Sequence, residues 1–127
     1  MTLKVHWIDK PRILAFDFSE NVTSEDINTF GRIGLDLVIG QPIYIVVDLT
    51  HVSAMPRNLV NTALRSSALI TFANHRNARA FAFVQPNTAT RFMVDTVLRS
   101  AQVKIVQSRD AGMTYLRSRL EEDDQPE

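Results

Sequence analysis

The chain has 127 residues, 14 Lys or Arg against 14 Asp or Glu, and a formal net charge of zero. Its length suits one domain, and 45% hydrophobic with 22% charged residues excludes a disordered, collagenous or coiled-coil chain. The lack of cysteine excludes disulfides, thiol catalysis and thiolate zinc sites. No apolar run approaches the ~18 residues of a membrane span, and the first residues lack the basic-then-apolar order of a secretory signal. These sums predict a soluble cytoplasmic domain. The neutral total is uneven, however. Residues 1–56 carry 4 basic and 7 acidic side chains, residues 57–120 carry 10 and 2, and residues 121–127 carry five acids and no base. Such asymmetry hints at an acidic or polyanionic partner.

Residues 3–8 and 12–18 read as two short strands, and the tight connection Asp9-Lys10-Pro11 predicts an antiparallel hairpin. Thr23 supplies a helix N-cap, and Asp26 three positions later completes an approximate capping box. Ile27, Phe30, Ile33, Leu37 and Val38 follow at helical spacing until Gly40 and Pro42 end the helix. Gly31 and Gly34 lie inside it, each costing about 1 kcal/mol against Ala. They leave a smooth strip that predicts close packing of another backbone.

Residues 42–49 form a continuous apolar run ending in Asp48, the pattern of a central strand covered on both faces. Residues 56–74 read as one helix with Pro56 near its first turn and a stripe of Val60, Ala63, Leu64, Ser67 and Ile70. Residues 78–84 read as a strand. Asn87 then caps a helix with Ala89, Phe92, Met93, Val97 and Ala101 on its apolar side and Arg91, Asp95 and Arg99 in solvent. Residues 103–106 form a last strand. Ser108 caps a final helix with Ala111, Tyr115, Leu116 and Leu120 inward. The expected fold is α/β: about five strands and four helices in the order ββαβαβαβα, with the helices packed on a mixed sheet. The folded domain is expected to span residues 1–120. Residues 121–127, lacking any apolar residue to dock, are expected as a disordered acidic tail.

Catalytic and ligand motifs are sparse. Asp48, His51 and Ser53 provide the residue types of an acid, a base and a nucleophile, but no Gly-x-Ser-x-Gly elbow accompanies them. Asp48 is better read as a strand-end carboxylate that orders the following loop. His6 and His75 read as exposed strand and loop residues. No pair of His or carboxylate residues has metal-ligand spacing, and no Gly-rich phosphate loop follows a strand. The bases after residue 56 are spread over several elements without interleaved aromatics, which argues against nucleic acid. The expectation is a protein without catalysis, cofactor or metal.

The element order resembles the STAS fold, and most of all its SpoIIAA-like branch, whose fold is also described as similar to the CRAL-TRIO lipid-binding fold. Three stretches carry the likeness: residues 44–50, residues 74–81 leading into a strand, and Ser108 to Ala111 with Tyr115 and Leu116. In anti-sigma factor antagonists of this fold, an Asp-Ser-Ser-Gly type sequence follows the central strand, and a kinase phosphorylates a serine there. Here Met55-Pro56-Arg57-Asn58-Leu59 occupies that stretch, so Arg57 and Asn58 replace the phosphoacceptor, and Ser53 lies earlier. The resemblance thus implies a regulatory, cytoplasmic, bacterial protein-interaction module whose switch is altered. Its expected surface is the loop of residues 48–59, presenting Asp48, Thr50, His51, Ser53, Met55, Arg57 and Asn58 to a protein partner with an acidic surface. The CRAL-TRIO likeness offers an alternative, a small apolar, lipid-like ligand beneath the helices against Phe30, Ile33, Phe72 and Phe92. Both readings are compatible with a homodimer through the edge hairpin or the Gly31/Gly34 face.

Overall fold

A computed structural model describes residues 2–124. The apolar run identified above forms the first half of β3 (Ile43–Ala54), the middle strand of a five-stranded sheet. Before it come β1 (Leu3–Asp9), β2 (Ile13–Asn21) and α1 (Ser24–Val38). After it come α2 (Leu59–Arg65), α3 (Ser67–Ala73), β4 (Ala78–Val84), α4 (Thr88–Val97), β5 (Val103–Val106) and α5 (Arg109–Asp124). The strands lie in sequence order, β1 antiparallel to β2 and the remaining neighbours parallel. The hairpin and the mixed sheet therefore agree with the sequence reading. The Lys10–Pro11 peptide is cis.

The two faces of the sheet are covered differently. On one, Phe16, Phe18, Ile45, Val47, Phe81 and Phe83 pack beneath α1, α2, α3 and α4. Phe16, Phe30, Phe72 and Phe81 form a chain of rings there, with edge-on pairs at centroid distances of 4.7, 5.6 and 5.3 Å. On the other, Ala15, Tyr44, Val46, Ala80 and Ala82 meet residues of α5 alone among the described helices. The small alanines let α5 lie close: a Cβ on Gly112 would stand 3.4 Å from the Ala82 Cβ.

Three expectations are corrected. The helix read over residues 56–74 is two helices, giving five among the described residues. Buried Ser66 ends α2 and caps α3, its hydroxyl accepting from Leu69 N at 3.3 Å. Next, α4 is rotated relative to the expected stripe. It buries Thr90, Met93, Val94 and Val97, while Phe92 is 60% exposed. Thr90 tolerates burial because its hydroxyl donates to Asn87 Oδ1 at 2.8 Å. Finally, residues 121–124 continue α5 rather than starting a disordered tail. Two of their acids, Asp123 and Asp124, have tertiary partners, described below. Residues 125–127 of that expected tail lie outside the described residues.

The capping box of α1 is present: Thr23 Oγ1 accepts from Asp26 N at 3.2 Å, and Asp26 Oδ2 accepts from Thr23 N at 3.0 Å. The same carboxylate accepts from the Thr2 hydroxyl at 2.6 Å, tying the start of the chain to the helix. Gly31 and Gly34 serve internal packing. A Cβ on Gly31 would sit 2.5 Å from the Leu69 backbone nitrogen, and one on Gly34 would overlap the buried Phe72 ring. Gly31→Ala gains about 1 kcal/mol of helix propensity but must push α3 away. We expect net destabilisation of about 1–3 kcal/mol in chemical denaturation. Gly40, with nothing within 4 Å of an added Cβ, is the control, and Gly40→Ala is expected to leave the midpoint unchanged or raised. Equal midpoints for Gly31→Ala and wild type would refute the close approach.

Candidate functional site

The far end of β3 does not become a loop at Thr50, as expected from sequence, but stays paired with β2 as far as Ala54. Between Asp17/Asp48 and Ser19/His51 the register advances two residues on β2 and three on β3. This is a bulge in β3. Asp48 stabilises it, its Oδ1 accepting from Thr50 N at 3.0 Å and from the Thr50 hydroxyl at 2.6 Å.

The other carboxylate oxygen of Asp48 accepts from Arg109 Nη1 at 3.0 Å, and the same nitrogen donates to Asp17 Oδ1 at 2.6 Å. One guanidinium thus bridges β2 and β3 next to the bulge from the start of α5. His6 on β1 completes the group. Its Nε2 lies 3.4 Å from Arg109 Nη2 and accepts from it, leaving the proton on Nδ1, 3.6 Å from Asp17 Oδ2. Burial disfavours charge on both Asp48 and Arg109, yet their bonds outweigh it. Thr50 and Arg109 hold the Asp48 carboxyl below its ordinary value, and Asp17 and Asp48 raise the Arg109 guanidinium.

These contacts give Asp48 a structural function. Both its oxygens are committed to Thr50 and Arg109, so Asp48, His51 and Ser53 form no acid–base relay. Thr50, His51 and Ser53 are exposed along the strand, and Arg57 and Asn58 are exposed in the turn entering α2. Asn58 stands at the N-cap of α2 without a side-chain cap bond. Met55 departs from the expected docking set, because its half-buried side chain packs against the phenylalanine core. The structure also separates the four residues of the apolar-ligand alternative. Phe30 and Phe72 are in mutual ring contact in the core, Ile33 faces a groove between α1 and β1, and Phe92 points outward. The space between Phe30, Met55, Leu69 and Met93 is a cavity of about 10 Å³, far below the ~300 Å³ of a ligand pocket.

Sequence reading missed the Arg109 bridge, although it held a signal for it. A cation directly after the Ser108 cap opposes the helix dipole and calls for acidic partners. The opposite end of α5 repeats the inversion. Tyr44 donates to Asp123 Oδ2 at 2.5 Å, Arg79 Nε to the same oxygen at 3.2 Å, and Arg12 Nη2 to Asp124 Oδ1 at 2.8 Å. Burial and the Asp123 carboxylate push the Tyr44 phenol up to about 12. Burial alone would raise the Asp123 carboxyl, but Arg79 and Tyr44 hold it below the ordinary range.

No family model matches the sequence, and no curated protein matches it. Solved structures do. An uncharacterised protein of the DUF3478 family with a SpoIIAA-like fold, from Shewanella loihica, aligns with a TM-score of 0.59 at 13% identity, covering 90% of this chain and 91% of its own. The Bacillus cell fate determinant SpoIIAA in its phosphorylated form aligns at 0.59 with 10% identity, over 89% and 98% of the two chains. An anti-sigma factor antagonist from Mycobacterium paratuberculosis aligns at 0.55 with 15% identity, over 91% and 94%. The chain therefore has the STAS-like, SpoIIAA-like fold expected from its element order.

The clamps at the two ends of α5 make acid stability a direct readout. Asp48 and Asp123 titrate below their ordinary value of 3.8 when folded. Their contribution is present above that value and is lost as pH falls through the depressed folded values. Thermal unfolding followed by circular dichroism is expected to show stability falling below pH 3.8, and falling less steeply in Asp123→Asn. An equally steep fall in that variant would show that the Asp123 clamp contributes nothing.

Proposed function

We propose that the chain is a non-catalytic regulatory module of the bacterial cytoplasm that docks a protein partner through the far end of β3 and the turn into α2. Its fold is shared with anti-sigma factor antagonists, which supports a regulatory module of that kind. The carrying observation is the braced, exposed strand end. Thr50, His51 and Ser53 lie open to solvent on a segment whose backbone is fixed by Asp48 and Arg109, and Arg57 and Asn58 follow without carboxylate partners among the described residues. A rigid polar edge of this kind loses little conformational freedom on binding. Arg57 favours an acidic partner surface. Beyond that edge, α2 packs against α4, and each exposes one large apolar side chain, Leu64 at 55% and Phe92 at 60%. These offer apolar anchors beside a polar rim.

In this reading the module acts without a phosphoserine switch, since arginine and asparagine stand where the fold's antagonists carry the acceptor. A photo-crosslinker at position 53 is expected to capture one discrete protein in host cells, and the same group at exposed Lys104 is not. Arg57→Glu is expected to abolish the capture. Incubation with ATP and an anti-sigma-factor kinase is expected to leave the protein mass unchanged. A phosphoryl group on Ser53 would overturn the altered-switch reading, and equal capture from both positions would overturn the docking surface.

A further inference from the structure

Away from the docking edge, the turn after α3, the starts of β4 and β5 and the last turns of α5 enclose an open pocket of about 260 Å³. Arg76, Arg79 and Arg119 line it, together with Asn74, His75 and Ser100, and no lining residue is a carboxylate. Arg76 has no ion-pair partner among the described residues. Arg79 binds Asp123 through Nε. Arg119 has its Nε 3.8 Å from Glu122 and donates from Nη1 to the Tyr115 hydroxyl at 3.2 Å. His75 Nδ1 accepts from Asn77 N at 3.0 Å, so its ring proton lies on Nε2, a donor.

We infer that this pocket binds the phosphate group of a small phosphorylated molecule. Three chemical features favour phosphate. All three bases are arginines, whose planar forks pair with phosphate through parallel hydrogen bonds and keep their charge at any physiological pH. They come from three separate parts of the fold, Arg76 from the turn after α3, Arg79 from β4 and Arg119 from α5. The volume holds a phosphate or diphosphate with a small organic remainder, and is below that of a drug-sized ligand site. Glu122 and Asp123 hold one nitrogen each of two of these arginines from the rim, so the chain's own acids compete with the ligand. The inference is independent of the docking surface, which lies at the opposite end of the strands.

Calorimetric titration of the full chain with pyrophosphate at constant ionic strength tests it, with circular dichroism confirming the fold of each variant. Saturable one-site binding is expected. It should weaken about tenfold or more in Arg76→Ala, the loss of one charge-assisted contact, and tighten in Asp123→Asn, which removes the negative charge that competes for Arg79. Arg76 is exposed and unpartnered, so its removal does not endanger the fold. Absence of saturable binding at millimolar pyrophosphate, or binding equally tight in Arg76→Ala, would overturn the assignment.

Discussion

The Arg109 guanidinium, held between Asp17 and Asp48, fixes the relation between the sheet and the one helix that covers its second face. That helix buries only Gly112 and Leu116 fully, and a strip so narrow and smooth gives little resistance to sliding along the sheet. Ion pairs supply what packing does not. Arg109 sets the position of α5 beside the bulge between β2 and β3, and Asp123 and Asp124 set it on Tyr44, Arg79 and Arg12 at the starts of the strands. Both sets oppose the helix dipole, so the isolated helix would be disfavoured by its own end charges and becomes favourable on the sheet. Partly exposed ion pairs add modest stability. Their geometric demands are what hold the helix in one register.

Much of the fold was legible because local and tertiary preferences agree. The Thr23 capping box, the glycine and proline after α1, the apolar run of β3 and the Asn87 cap each name an element boundary in a few residues. The Gly31/Gly34 pair announced a close approach, and α3 supplies it. The break at Ser66 was hidden for the same reason. Val60, Ala63, Ser67 and Ile70 keep helical spacing across it, and serine does not forbid a helix. Only the need to lay the Leu69 backbone on Gly31 makes the chain turn there. Phe92 misled because hydrophobicity ranks phenylalanine above threonine for burial, whereas the Asn87 cap rotates α4 and satisfies the Thr90 hydroxyl.

At the candidate site the role of Asp48 was legible and the conformation of the strand was misread. Asp48 was picked out as a carboxylate that orders the following backbone, and it bonds the Thr50 nitrogen. The strand was expected to end there because polar residues follow. Ser19, Glu20 and Asn21 on β2 are polar too, so the pairing continues as a solvent-facing ribbon that no apolar alternation marks. Glu20, in the left-handed region at φ 59, lies where the β2–β3 register shifts a second time. Asp17 and His6 gave no warning of their link to Arg109, because contacts spanning 92 and 103 residues depend on which face of the sheet α5 covers.

The zero net charge is likewise resolved in space rather than along the chain. Bases scattered over residues 57–120 argued against a nucleic-acid footprint, yet scatter in sequence is not scatter in the fold. Parallel β4 and β5 begin side by side, and α5 runs back over them, so Arg76 and Arg79 meet Arg119 from 40 residues further on. The acids that balance the sum are the ones that helix brings along: Glu122 and Asp123 land on two of these three arginines. Deleting the acids after residue 120 would therefore do more than shift the net charge. It would remove the anchors of Tyr44, Arg79 and Arg12 at once, leaving the end of α5 to Leu116, Leu120 and the contacts of Arg117 with Asp9 and of Arg119 with Gln102, while the arginine pocket lost its internal anions. Counter-charge and helix anchor are the same side chains.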